Sequence, residues 1–497
     1  MRRSGILLHI TSLPGEGGIG SLGEEARAFA RFLHEGGMSI WQVLPVGPVG
    51  YGESPYQCSS VHAGNPLLIS VSELRREGIL TCEDSEIFSP AELSAVDYPA
   101  VRENRELLLR KAFEQSAERM SDELEAFVHS HSWVKDFALF TALKKHFGDV
   151  KWTLWPDEAL RMRQEPALSA AREQFAEEAR YHIFVQMLFY RQWLALKSYC
   201  NSLGISLFGD MPIYVAEDSA DTWTNPHVFQ LDKNRVPKRV AGVPPDYFSE
   251  DGQLWGNPLY RWRSLRFLHH YDWWVGRMRT MAELYDMVRI DHFIGFANYW
   301  SVPYGAPNAR GGKWVVGPGK SLFRTLEKEV PGIVIIAEDL GVISKRVKRL
   351  LKAVGYPGMR IMCFGFGDGG GDNTHFPDNY VENCVAYTGT HDNDTVLGWY
   401  KSTDPKVQAF AREYVGFEKA EDAPEAFLKV LFASRAGTAI VPMQDVLGLD
   451  TDARMNYPGT IGGNWRWRML PGVLTKELAD RLFRLNETTQ RLPRADA

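Results

Sequence analysis

Residues 332–339 read GIVIIAED: five apolar side chains in a row, ending on two carboxylates. A short apolar run without polar alternation fits a strand covered on both faces, as strands of parallel sheets are. Seven more runs of this kind lie along the chain. They are 5–10 (GILLHI), 39–46 (SIWQVLPV), 205–215 (ISLFGDMPIYV), 287–291 (MVRID), 359–364 (MRIMCF), 384–389 (CVAYTG) and 438–443 (TAIVPM). Helical patterns fall between most of them, at 24–35, 184–203, 271–285, 344–354 and 425–436. Alternating strands and helices predict parallel βαβ units. Eight such strands favour a closed (β/α)₈ TIM barrel over an open doubly wound sheet.

The runs are unevenly spaced. About 160 residues separate the second from the third, too many for one crossover. Residues 71–178 are charged and helix-prone, which predicts a helical subdomain inserted over 66–185 in a single barrel spanning 1–497. Segments 216–261 and 297–320 are rich in Pro, Gly and Trp and read as long ordered loops. On a barrel, such loops belong to the rim that carries the active site.

Composition narrows the function classes. The 497 residues carry a net charge of −6 and are 44% apolar, which excludes a disordered chain and a small stapled scaffold. Mild acidity argues against nucleic acid as a partner, because phosphate binding needs a clustered basic surface. The five cysteines (Cys58, Cys82, Cys200, Cys363 and Cys384) form no CxxC pair, so a structural zinc is not expected. Cys363 and Cys384 sit in apolar runs and read as buried. The apolar run after Met1-Arg2-Arg3 is too short for a signal peptide, and no stretch reaches membrane-spanning length. A cytoplasmic protein away from membranes is the expectation.

Barrel enzymes place their chemistry at the C-terminal ends of the strands. There the runs carry Asp210, Arg289 with Asp291, Glu338 with Asp339, and His391 with Asp392. Strands buried on both faces have no ordinary use for carboxylates, since an unpaired buried charge is costly. One alternative is an ion pair that locks the barrel mouth. Several acids on one rim instead point to glycoside chemistry, in which two carboxyls need different environments. Residues i and i+2 of a strand share a face, so Arg289 lies beside Asp291 and favours its ionised form. Glu338 follows an apolar stretch that can keep it protonated. Asp392 could bind ring hydroxyls and stabilise a cationic transition state. His9, His292 and His391 lie near strand ends, but no HExxH motif or close His pair on a helix face suggests a metal. Residues 15–20 and 367–371 are Gly-rich turns without the Lys-Ser/Thr ending of a phosphate loop. Aromatic loops at 51–56 (YGESPY), 254–257 (LWGN) and 464–467 (NWRW) pair rings with polar neighbours, which suits the apolar face and hydroxyl edge of a sugar.

These residues occur in a series of motifs that resembles the amylomaltases, the 4-α-glucanotransferases or disproportionating enzymes. The match covers nearly the whole chain: GILLHITSLPG, IGSLG, WQVLPVGPVGYGESPYQ, AGNPLLI, GDMPIYVAEDSADTW, AGVPPDYFSEDGQLWGNPLY, VRIDHF, GKWVVGPG, AEDLG, YTGTHDNDT, ARMNYPGT and GNWRWR. The resemblance implies an α-amylase-like barrel with inserted subdomains. It implies Asp291 as nucleophile, Glu338 as general acid/base and Asp392 as transition-state stabiliser, with Arg289 and His391 as their immediate partners. Ser54, Tyr56, Asp210, Trp255 and Asn464 would belong to the substrate groove.

The implied reaction is retaining transfer of α-1,4-glucan segments to the 4-OH of a maltooligosaccharide or glucose, through a covalent glycosyl-enzyme, with no cofactor and no metal. An α-1,4-glucan hydrolase on the same barrel is the alternative, because hydrolysis and transfer share that intermediate. A metal-dependent barrel hydrolase and a catalytically silent glucan-binding protein are the rival classes; the three acids speak against the second. Ile294, Ser301, Glu217 and Asp378 depart from the family's usual residues at their positions, away from the three acids.

Overall fold

A computed structural model of the chain describes residues 2–50, 52–81, 88–245, 250–341 and 343–493. Tyr51 of the first aromatic loop and Cys82 lie outside the described residues. Eight parallel strands close into a barrel. They are β1 (Arg3–Leu7), β2 (Ile40–Gln42), β3 (Ser206–Met211), β4 (Met287–Ile290), β5 (Val334–Ala337), β6 (Gly358–Ile361), β7 (Cys384–Tyr387) and β8 (Thr438–Pro442). Each overlaps one of the eight apolar runs. Every strand pairs with its neighbours in chain order, and β8 returns to β1 with Arg3 opposite Thr438. The result is the expected (β/α)₈ barrel.

Helices lie between the strands, among them Glu24–Glu35, Asp272–Leu284, Lys320–Glu329, Lys345–Val354 and Ala423–Ala433. Val347 and Leu350 show how such a helix forms: apolar side chains at helical spacing turn to the barrel, while the lysines and arginines around them face water. The last helix, Lys476–Thr488, packs beside the first and seals the seam between the chain ends. Behind it the buried Arg491 donates to the carbonyls of Phe432, Arg3 and Ala436, so its charge is spread over backbone acceptors from both ends of the chain.

Between β2 and β3 the chain forms helices that include Tyr98–Ser116, Ser121–Ser130, Val134–His146 and Glu165–Gln174. The expected boundary at residue 185 falls inside one continuous helix, Ala176–Ser202. Its first half joins the helical insertion and its second half feeds β3. A change of partner along one helix leaves no break in its periodicity, so the sequence carries no signal at that point.

The segments read as rim loops hold regular structure that the sequence reading missed. Strands Gln253–Pro258, Arg239–Val243, Asn298–Pro303 and Lys313–Val316 form, in that order, a four-stranded antiparallel sheet. Its alternation is real but short: Tyr299 and Ala241 are buried against the main core, while Trp300 faces the other way beside Trp314. Flanking Pro and Gly hid that period.

One glycine fixes the geometry beneath the site. A Cβ on Gly209 would lie 2.4 Å from the Tyr285 ring, which is fully enclosed behind β3. Gly209→Ala is therefore expected to lower stability by about 1–3 kcal/mol through overpacking. Denaturant unfolding would check it, and an unchanged midpoint would remove Gly209 from the account.

Candidate active site

The barrel register builds the centre of the site. Asp210 on β3 lies directly opposite Arg289 on β4. Arg289 Nη1 donates to Asp210 Oδ2 at 2.5 Å and Nη2 donates to Asp291 Oδ1 at 2.7 Å, so one guanidinium bridges two acids. The Tyr56 hydroxyl donates to the same Asp210 oxygen at 2.8 Å. Burial alone would lower Arg289, but the carboxylates of Asp210 and Asp291 hold it well above its ordinary value. Burial raises the Asp210 carboxyl against the pull of Arg289. The Asp291 side chain, 28% exposed, opens to the groove with its charge balanced on one side only.

Glu338 follows β5, one strand further round. It is 7% exposed, and its two carboxylate oxygens accept backbone N–H groups from His292 and Leu340, both at 2.7 Å. Burial, reinforced by the Asp291 charge, pushes its carboxyl up to about 7 against the pull of Arg289 and these two N–H donors. Its neighbour Asp339 points to the other side of the strand, where it accepts the Met359 N–H at 2.7 Å and pairs with Arg360. The two-residue period thus separates a groove acid from a structural one.

His292, directly after Asp291, holds a left-handed backbone (φ 49°). Such conformations cost free energy in a non-glycine residue and persist where the surroundings fix them. The His292 N–H donates to Glu338, and the His292 ring meets Trp255 edge-on at 4.8 Å. Burial lowers His292 to about 4 and His9 to about 3, so both rings are neutral at pH 7.

The third acid, Asp392, lies beyond β7 with its side chain 45% exposed. His391 Nε2 is 3.4 Å from Asp392 Oδ1, and the His391 ring stacks on Tyr56 at 5.1 Å and tilts against Trp465 at 5.8 Å. Among the sequence candidates, Tyr56, Asp210, Trp255, Arg289, Asp291, Glu338, His391 and Asp392 therefore join through direct contacts around the mouth of β3, β4, β5 and β7. Ser54 and Asn464 do not reach the acids by such contacts. Ser54 Oγ accepts the Tyr56 N–H at 3.3 Å, a turn contact. Asn464 is buried and holds the 457–464 turn through the Tyr457 N–H and Thr460. Trp465 lies in the aromatic loop 464–467 read as suited to sugar, whereas Arg454 and Asn456 are additions that no residue-level reading drew out of the motif ARMNYPGT. Of the four atypical residues, Ser301 holds Arg239, Glu217 meets Lys151 and Tyr304, Asp378 accepts from Tyr414, and Ile294 is buried in the turn that directly follows His292. Among the described residues, no group of three or more His, Cys, Asp or Glu side chains could hold a metal ion.

A site of this kind can run chemistry that needs one ionised and one protonated carboxyl side by side. The family model described as 4-alpha-glucanotransferase matches residues 8–475. The chain belongs to the 4-alpha-glucanotransferase family. It is 46% identical to the 4-alpha-glucanotransferase of Thermus thermophilus over 99% of both chains. It is 45% identical to a chloroplastic/amyloplastic 4-alpha-glucanotransferase of Arabidopsis thaliana over 94% of this chain and 81% of that one. Among solved structures, the amylomaltase of Streptococcus agalactiae in complex with acarbose superposes with a TM-score of 0.96 at 42% identity, covering 99% of this chain and all of that one. An α-amylase from Geobacillus thermoleovorans shares the fold alone, with a TM-score of 0.50 at 8% identity, over 99% of this chain and 79% of that one. Family members carry the transferase name, which favours transfer over the hydrolase alternative. No helix among the described residues is long and apolar enough to cross a membrane.

Proposed function

We propose that this 4-alpha-glucanotransferase cleaves and re-forms α-1,4-glucosidic bonds with Asp291 as nucleophile, Glu338 as general acid/base and Asp392 as stabiliser of the cationic transition state. One observation carries the assignment. Two carboxyls on adjacent strands have opposite environments: Asp291 is paired with Arg289 and open to the groove, and Glu338 is buried with its carboxyl near 7. Pairs of acids whose environments push them apart divide the acid and nucleophile roles.

The steps follow from the positions. Asp291 attacks the anomeric carbon of a maltooligosaccharide while Glu338 gives its proton to the leaving 4-oxygen. A glycosyl ester on Asp291 results. A second sugar then enters, Glu338 takes the proton from its 4-hydroxyl, and a new α-1,4 bond forms with release of Asp291. Retention of this type requires the two carboxyls ~5–5.5 Å apart. Asp210 and Tyr56 act through Arg289 by keeping its guanidinium turned to Asp291. Trp255 beside His292 and Tyr56 beside His391 offer partly exposed rings to sugar on either side of the acids, with the buried Trp465 packed behind Tyr56 and His391. Sugar seated on them excludes water, which lets an acceptor hydroxyl compete for the intermediate. The acarbose bound by the Streptococcus agalactiae relative supports maltooligosaccharides, α-1,4-glucans and glucose as partners of this groove.

Mixing the pure protein with maltotriose tests the reading. Each transfer breaks one glucosidic bond and makes one. The expected result is a ladder of longer maltooligosaccharides plus glucose, with no net gain in reducing ends. Glucose and maltose alone, with rising reducing ends, would establish hydrolysis instead.

A further inference from the structure

Of the three acids, Asp392 is the least anchored by packing. Glu338 is buried and gripped by two backbone N–H groups, and Asp291 is paired with a buried guanidinium. Asp392 has nearly half of its side chain open, so packing alone leaves its rotamer free. Besides His391, whose Nε2 lies 3.4 Å from Asp392 Oδ1, what holds it comes from a distant segment that follows β8. Asn456 Nδ2 donates to Asp392 Oδ1 at 2.7 Å. Arg454 Nη2 donates to the Asp392 backbone carbonyl at 2.7 Å, and Arg454 Nε donates to the Asn456 carbonyl at 2.8 Å. One guanidinium thus ties Asp392 to its own clamp, and it lies over the Tyr457 ring at 4.3 Å.

The clamp is itself fixed at both ends. Thr451 Oγ1 donates to Asp394 Oδ2 at 2.9 Å, which docks the segment on the loop that carries Asp392. The Trp465 N–H donates to the Met455 carbonyl at 2.7 Å, and Trp465 is the residue whose ring meets His391 and Tyr56. The chemistry of the contacts is divided. Among the described residues, the charged Arg454 donates its hydrogen bonds to backbone carbonyls, whereas the neutral amide of Asn456 donates to the carboxylate. Arg454 therefore orients Asp392 through its backbone and Asn456 through its carboxylate. Its Oδ2 accepts no hydrogen bond from the described residues and is left for the sugar.

We infer that Arg454 and Asn456 are positioning residues for the transfer reaction: they pin one oxygen of Asp392 so that the carboxylate is held with the other oxygen aimed at the cationic ring of the transition state. A charge placed in advance, at no reorganisation cost during reaction, is how such electrostatic stabilisation becomes effective. This inference rests on the catalytic role of Asp392 proposed above.

Steady-state disproportionation of maltotriose by Asn456→Ala, Asp392→Ala and the double variant tests it. Asn456→Ala is expected to lower kcat about 10- to 100-fold, the scale of a misplaced catalytic group, with KM within about two-fold of the parent. In the Asp392→Ala background the same change is expected to cost nothing further, because its only effect runs through that carboxylate. Asn456→Asp, which keeps the volume but replaces the donor by an acceptor, is expected to lose as much at neutral pH and serves if the alanine variant does not fold. Arg454→Lys, with one point charge for two forked donors, is expected to lose part of kcat. Near-normal turnover in Asp392→Ala would overturn the catalytic reading itself. An inactive Asp392→Ala together with native kcat in both Asn456 variants would overturn only this inference. An equal loss from Asn456→Ala in both backgrounds would also overturn it, as the mark of a general structural role.

Discussion

Asp291→Asn is expected to fold as the parent does and to lose transfer from maltotriose by about four to six orders of magnitude, the scale on which removal of an enzymic nucleophile acts. The amide keeps the size of the carboxylate, and its oxygen can still accept from Arg289 Nη2, so the barrel mouth has no reason to reorganise. What is lost is the anionic oxygen that forms the ester and the negative charge beside the developing cation. That charge has a second effect which can be read separately. It is one of the influences that keep Glu338 protonated, after burial itself. Its removal is therefore expected to move the Glu338 carboxyl below about 7 in the variant, while burial still holds it above an ordinary glutamate. Turnover gives the first readout and a carboxyl titration followed by infrared difference spectroscopy gives the second. Near-normal turnover would remove Asp291 from the nucleophile role. An unmoved Glu338 would mean that the two acids do not feel one another.

The barrel was legible in the sequence because strands buried on both faces have little choice of residue. Runs such as GIVIIA and CVAY carry almost nothing but apolar side chains, and each polar residue that ends a run stands out. The same contrast exposed Asp291 and Glu338. The protonation argument could also be read in advance, since it needs only Arg289 two residues from Asp291 and an apolar stretch before Glu338. The antiparallel sheet over the rim escaped, because strands of four to six residues between Pro and Gly do not show enough of their period. Asn464 shows a different limit. A motif does not show whether an Asn meets its own chain or a neighbouring segment, and the hydrogen bonds of Asn464 to Tyr457 and Thr460 appear only in the structure. Asn456 failed for the opposite reason: its partner Asp392 is 64 residues away, and nothing local in ARMNYPGT announces that contact.

Glu338→Gln separates the two halves of the reaction. With maltotriose the first step needs a proton on a poor leaving group, and the amide cannot supply one, so turnover is expected to fall by about two to four orders of magnitude. With maltosyl fluoride the leaving group needs no proton, so Asp291 can still be glycosylated. The second step then stalls, because no base remains to take the proton from the acceptor 4-hydroxyl. A maltosyl adduct on the protein, visible by mass spectrometry and assigned to Asp291 by peptide mapping, is the expected outcome. The parent protein supplies a matching pH signature. Glu338 must be protonated to begin the cycle, and its carboxyl lies near 7 because it is buried. The protonated fraction is complete well below that value and falls tenfold per pH unit above it, so kcat/KM for maltotriose is expected to bend down above about 7. In the glutamine variant that bend is expected to vanish, since the amide does not titrate. A variant that turns over maltosyl fluoride at the parent's rate, or a parent profile flat to pH 9, would take the acid/base role away from Glu338.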